Sequence, residues 1–268
     1  MNYKHLVELS ISTGSVIFAP DYRLAPKHRY PAALDDCVDA VNYVAENSKK
    51  HRTDRIVITG DSAGGHLSLT TALQIVQKDD VKLNGILAVY PVTQAVSVKL
   101  PSYESNNQHL LSKQQMASFI SSCFMGNGEL IEPLMSGKIM EQAVGASADI
   151  ADHLKANEFA EQTQKLDEKY TRLIHQSISP LFTEESLLSK LPRTIIYVAE
   201  HDVLRDDGAL MHERLVKAGV DTTLVEWSGA IHAQVALSKQ FSPIELDPMA
   251  TKQVCDYTKD LRKILRQN

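Results

Sequence analysis

One serine in this chain stands where a hydroxyl can be turned into a nucleophile. Gly60-Asp61-Ser62-Ala63-Gly64-Gly65 follows the β-branched run Arg55 to Gly60 (RIVITG) and precedes an apolar helical pattern from Ala63 to about Gln77. A serine on a sharp strand-to-helix turn takes strained backbone angles. Side chains at positions 60 and 64 would crowd such a turn, so glycines there lift the hydroxyl clear. The helix behind it turns free N–H groups and the positive end of its dipole toward the place where an oxyanion would form, with Ala63 as the first donor. The plain alternative is a glycine-rich connection with no chemistry; the strand before and the helix after favour the nucleophile.

A serine hydroxyl is weak until a histidine takes its proton, and that histidine needs a carboxylate to fix its tautomer and stabilise its cation. Of ten histidines, His232 alone lies in a suitable loop, Gly229-Ala230-Ile231-His232-Ala233, directly after the run Thr222 to Ser228 (TTLVEWS). Asp202 follows the run Thr194 to Glu200 (TIIYVAE). Both fall at the carboxyl ends of strands, in the chain order serine, acid, histidine. Asp206 and Asp207 are rivals for the acid. They read better as the first turn of a helix from about Asp206 to Ala218, where carboxylates favour the dipole and cap free N–H groups. The expectation is Ser62 within hydrogen-bond reach of His232, and Asp202 at the far ring nitrogen.

These residues need a scaffold of strands alternating with helices, and the sequence supplies one. Apolar runs at Ser15 to Pro20 (SVIFAP), Arg55 to Gly60, Gly85 to Pro91, Thr194 to Glu200 and Thr222 to Ser228 read as strands covered on both faces of a mostly parallel sheet. Between them fall a helix opened by Pro31, the helix after Ser62, the helix after Asp202 closed by Gly219, and a last amphipathic one from about Met249 to Arg266. About a hundred residues from Val92 to Arg193 interrupt this rhythm and read as an insertion, a helical cap over about 92–176 on a single α/β domain of 1–268. Within it, Ser112-Lys113-Gln114-Gln115 looks like a capping box opening a helix through Phe124, and Asp152 to Gln176 reads as one charged helix. Gly126 to Ala148, rich in Gly, Ser and Met, is expected to be the loosest part.

Composition narrows the function classes. In 268 residues, 43% hydrophobic and 23% charged, with a net charge of -5, a disordered or coiled-coil chain is excluded and no basic surface invites nucleic acid. Cys37, Cys123 and Cys255 form no CxxC pair, and the scattered His and Cys show no metal-ligand spacing. A serine triad needs no cofactor, and none is expected. No apolar run reaches the roughly 18 residues that cross a bilayer.

At this point a family becomes recognisable. GDSAGG, Asp202-Val-Leu-Arg-Asp-Asp-Gly208 and Gly229-Ala-Ile-His232, with Asp21-Tyr-Arg-Leu-Ala-Pro26 and Tyr30-Pro-Ala-Ala-Leu-Asp-Asp36, resemble the hormone-sensitive-lipase-like α/β-hydrolases. Leu100-Pro-Ser-Tyr-Glu104, Leu110-Leu-Ser-Lys113 and Ser179-Pro-Leu181 look most like the arylacetamide deacetylase group within them. The resemblance implies an α/β-hydrolase fold, hydrolysis of a small-molecule carboxylic ester (or an arylamide or lipid ester), Ser62 as nucleophile, Asp202 as acid and His232 as base, with Arg23 and Asp21 as scaffold. It also implies a His-Gly-Gly loop, preceded by further strands, that provides oxyanion donors. This sequence contains no HGG, which leaves the Ala63 N–H as the evident donor and the strand reading SVIFAP without its neighbour. The expectation is a fold lacking its first strands and a poor catalyst; a catalytically weak protein acting as a binding scaffold is the alternative. Such relatives are held in the endoplasmic reticulum by an N-terminal helix. A preceding segment of that kind would place this chain there, and otherwise it would be cytoplasmic.

Overall fold

Four of these apolar runs form the sheet. A computed structural model describes residues 3–51, 54–146, 151, 152, 154, 166–238 and 247–266. In it β1 (Val57–Asp61), β2 (Gly85–Val89), β3 (Thr194–His201) and β4 (Thr222–Ile231) lie side by side in that order, all parallel. Every residue of β2 is buried, as are the first six of β3, because helices cover both faces of these central strands. The helices that matter here are α1 (Tyr3–Thr13), α2 (Ala32–Glu46), α3 (Ala63–Lys78), α4 (Lys113–Phe124), α5 (Ile131–Ser136), α6 (Lys138–Ala146), α7 (Arg205–Lys217) and α8 (Pro248–Arg266).

Alternation along the strands divides the core in two. Ile86, Ala88, Ile196 and Val198 face Leu34 and Val38 of α2, Leu69 and Leu73 of α3, and Met211 and Leu215 of α7. Leu87, Val89, Ile195 and Tyr197 face the other way, against Leu9 of α1 and Val254, Leu261 and Ile264 of α8. Burying a leucine-sized side chain is worth about 1.5–3 kcal/mol, so both layers hold the sheet rigid beneath its carboxyl ends.

The expected strand Ser15 to Pro20 does not form. A strand acquires its ladder only from a neighbour, and β1 is the edge of the sheet. The run stays irregular, with Val16 56% and Phe18 36% exposed, and Phe18 rests edge-on against Tyr43 of α2 and His51. In the insertion the capping box is present: the Ser112 hydroxyl accepts the Gln115 N–H at 3.2 Å and Gln115 Oε1 accepts the Ser112 N–H at 2.9 Å, opening α4. Gly126 to Ala148, expected to be loose, carries α5 and all of α6, with Leu130, Leu134, Ile139 and Ala143 wholly buried. Gly137 ends a helix and does not loosen it, standing at φ 88° directly after α5. Of the expected helix Asp152 to Gln176, residues 153 and 155–165 lie outside the described residues. Its described end is a separate short helix, Glu168–Thr171, whose first turn is capped by the Asp167 carboxylate on the Lys169 N–H.

α7 approaches β3 closely because position 208 has no side chain. A Cβ on Gly208 would stand 2.5 Å from Val198 Cγ1 on the rigid strand. We expect Gly208→Ala to cost about 1–3 kcal/mol, or about 2–4 °C of Tm per kcal/mol in a chain of this size. Val198→Ala added to it should recover part of the loss, and thermal unfolding of the two single variants and the double variant checks this.

Candidate active site

Ser62 joins β1 to α3 at φ 55°, ψ -116°, a combination that costs a non-glycine residue about 1–3 kcal/mol. Its surroundings leave the chain no other course. A Cβ on Gly60 would lie 2.5 Å from the backbone carbon and oxygen of Gly64, and one on Gly65 would lie 3.1 Å from Pro91 and the Val89 oxygen. Position 64 is different from expectation: a Cβ there meets nothing within 4 Å, so the crowding comes from its backbone and not from its missing side chain. The Ser62 N–H donates to Val89 O of β2 at 2.9 Å, and the Ser62 carbonyl accepts the His66 N–H at 3.0 Å. Ala63 opens α3, so its N–H lies outside the intrahelical ladder, beside the serine.

Three side chains from three strand ends meet here. His232 Nε2 lies 3.0 Å from Ser62 Oγ, and His232 Nδ1 lies 2.7 Å from Asp202 Oδ2. Asp202 is 1% and His232 8% exposed. The carboxylate accepts Nδ1–H, which leaves Nε2 with a lone pair for the serine proton. Asp202 Oδ1 accepts the Leu204 N–H at 3.0 Å, so both carboxylate oxygens are engaged. Asp206 and Asp207 lie in the first turn of α7 and neither bonds to His232. Their partners, however, lie about a hundred residues earlier in the chain: Asp206 Oδ2 accepts the Ser102 N–H at 2.8 Å and Asp207 Oδ1 accepts the Thr93 N–H at 3.1 Å.

Residues 2–144 and 130–236 match a family model described as alpha/beta hydrolase fold. The chain belongs to this family. It is 31% identical over 240 residues to arylacetamide deacetylase of Bos taurus, covering 83% of this chain and 60% of that protein. It is 32% identical over 242 residues to neutral cholesterol ester hydrolase 1 of Pongo abelii, covering 82% and 59%. This α/β-hydrolase therefore spans about 60% of the length of the curated relatives it matches. Among solved structures, a thermostable esterase from Pseudomonas putida superposes with a TM-score of 0.75 at 24% identity, covering 99% of this chain and 69% of that one, a likeness of fold. The esterase of Pyrobaculum calidifontis gives 0.72 at 25% identity, covering 97% and 70%.

The α/β-hydrolase site has supports that the sequence reading did not find. β4 bulges: Ala199 pairs with Trp227 but His201 pairs with Ile231. Glu200 Oε2 holds the bulge by accepting the Gly229 N–H at 2.7 Å, with Gly229 at φ 73°. Gln234 Oε1 accepts the Ile231 N–H at 2.9 Å from the other side of His232. Asn106 Nδ2 donates to Asp202 O at 3.1 Å, and Ser102 Oγ donates to Val203 O at 2.6 Å, so the short helix Pro101–Ser105 and the residue after it fasten the acid loop. Gly229, directly after the run TTLVEWS, is the local signal that could have announced the bulge. Among the described residues no three His, Cys, Asp or Glu side chains converge as metal ligands would, and no helix is long and apolar enough to cross a membrane.

Burial pushes the Asp207 carboxyl up to about 7, against the hydrogen bonds from Thr93 and Gln94 that favour its charge. The folded protein thus holds this proton more tightly than the unfolded chain, where an aspartate titrates near 4. The stability it contributes is complete below about pH 4 and is lost as pH rises through about 7. We expect Asp207→Asn, which keeps the oxygen that accepts the Thr93 N–H, to gain Tm over the parent progressively between pH 5 and 8. Half-buried His66, which desolvation pushes down to about 4, acts oppositely on the acid side in both proteins, so the difference in Tm isolates Asp207.

Proposed function

We propose that this α/β-hydrolase cleaves carboxylic esters through an acyl-enzyme, with Ser62 as nucleophile, His232 as general base and then acid, Asp202 as the carboxylate that orients it, and the Ala63 N–H as an oxyanion donor. The observation that carries the reading is the continuous contact from Ser62 Oγ to His232 Nε2 at 3.0 Å and from His232 Nδ1 to Asp202 at 2.7 Å. As Ser62 Oγ attacks the ester carbonyl, its proton passes to Nε2 and the carbonyl oxygen becomes an oxyanion beside the start of α3. Collapse expels the alcohol, which takes the proton from Nε2, and water then repeats the sequence to release the acid. The substrate is a small-molecule ester, with arylamides and lipid esters as chemically related candidates; the names of the two curated relatives, a deacetylase and a cholesterol ester hydrolase, support this class.

A weakly catalytic binding protein is the second reading, favoured by the absence of HGG from the sequence. A single missing oxyanion donor costs on the order of 10²- to 10³-fold in turnover. The test is covalent labelling by a fluorophosphonate probe together with hydrolysis of p-nitrophenyl acetate. We expect labelling of the parent chain, none of Ser62→Ala, and a loss of about 10³- to 10⁴-fold in hydrolysis for Asp202→Asn, mainly through the wrong imidazole tautomer. Undiminished labelling of Ser62→Ala would overturn the reading. A longer form carrying an upstream HGG should hydrolyse the ester more than tenfold faster than these 268 residues; equality within tenfold, about 1.4 kcal/mol of barrier, would mean that another donor serves the oxyanion.

A further inference from the structure

β2 ends at Val89, whose carbonyl holds the Ser62 N–H, and the next residue, Tyr90, donates its own N–H to Tyr197 O of β3 at 2.7 Å. Tyr90 is therefore tied by backbone to the strand that leads to Asp202, and it follows the residue that fixes Ser62. It stands at φ 35°, in the left-handed region that a bulky side chain avoids, so its surroundings and not its own preference hold it there. Its ring is 1% exposed and lies 4.7 Å, centroid to centroid, from the ring of His232 at 54°, with Trp227 behind it at 6.5 Å. Its hydroxyl is buried and makes no hydrogen bond among the described residues. What this position uses is the ring, and the phenol stays neutral because burial, then Asp61 and Asp202, push it well above its ordinary range.

We propose that Tyr90 is a positioning residue for His232: its ring seats the imidazole between Ser62 and Asp202 and, when the ring takes the serine proton, stabilises the imidazolium by cation–π attraction. This rests on the serine-hydrolase reading of the same site. A cation within about 6 Å of an aromatic centroid is attracted to it, and the attraction is strongest where water is excluded. The charged groups around the pair are Asp202, bonded to Nδ1 from the loop after β3, and Asp61, at the end of β1 and acting on the phenol. Glu200 is engaged by the Gly229 N–H. The neutral partners are Ser62 from the elbow and Trp227 from β4.

The test separates the ring's shape from its electrons. Tyr90→Phe keeps the ring, and tetrafluoro- or pentafluorophenylalanine incorporated at position 90 keeps nearly the same shape while weakening the negative face. Two readouts are taken: the second-order rate of labelling by the fluorophosphonate, and the carbon-13 resonances of the His232 ring, assigned against His232→Gln, followed through a pH titration. We expect Tyr90→Phe to label within about twofold of the parent with an equal or higher Tm, since it removes only an unpartnered hydroxyl. Fluorination should slow labelling stepwise, by about three- to thirtyfold at full substitution, and the His232 ring should take up its proton at lower pH than in the parent. Tyr90→Leu should lose at least as much; if it does not fold, the fluorinated series decides. Equal rates and equal protonation of His232 in the phenylalanine and pentafluorophenylalanine proteins would overturn the proposal. If the parent is not labelled at all, the hydrolase reading falls, and the protonation of His232 still decides the role of Tyr90.

Discussion

Ser62 occupies a backbone conformation that an L-residue adopts only under compulsion, and most of the neighbouring structure serves to compel it. The close pass of Gly60 over the backbone of Gly64 is open to glycine alone, and Gly65 lets the first turn of α3 lie against Pro91. Beyond that turn, Leu69, Ala72, Leu73, Ile75 and Val76 are buried, so the helix cannot rotate to relieve the serine without exposing a whole apolar face. The hydrogen bond from Ser62 N to Val89 O joins this strained turn to the next strand, where Tyr90 is strained in its turn. Two unfavourable residues thus sit side by side at the carboxyl ends of adjacent strands, each held by packing that extends well away from it.

The other two members of the site are fixed by polar contacts more than by packing. Asp202 is seated from above by Asn106 and flanked by the Ser102 to Val203 and Ser102 to Asp206 bonds, while Thr93 and Gln94 meet Asp207, the next residue of α7. These residues lie about a hundred positions away in sequence. Apart from the part-buried Ser102 to Asp206 bond, their donors and acceptors are buried, so breaking any of those bonds leaves a polar group without water, at about 1–3 kcal/mol each. The segment from Thr93 to Asn106 therefore bears on the candidate site before any substrate is considered, because it holds the loop on which Asp202 stands.

Where the candidate site depends on local sequence, its geometry was legible. GDSAGG between an apolar run and a helical pattern located the serine turn, the loops after two later strands located Asp202 and His232, and Ser112 with Gln115 located the start of α4. What escaped depended on distant residues. Ser15 to Pro20 has the composition of a strand, but pairing is decided by a neighbour, which its own residues do not encode. The Gly and Met content of Gly126 to Ala148 suggested looseness, yet the leucines and isoleucine spaced among them bury completely. The carboxylates of α7 read as ordinary first-turn acids because nothing in their own segment announces Ser102 or Thr93.

The bulge in β4 adds a condition on chain length. Between Ala199 and His201 β3 advances two residues, while β4 advances four, from Trp227 to Ile231. The surplus is two, an even number, so the strand resumes with the same residues facing the same side of the sheet. Removing one residue from Ser228 to Ala230 would send Ile231 to the opposite face and turn His232 away with it. Removing two would close the bulge with Ile231 still opposite His201, since each strand would then advance two residues, at the cost of the turn that Glu200 holds. This stretch accordingly tolerates the loss of two residues more readily than the loss of one.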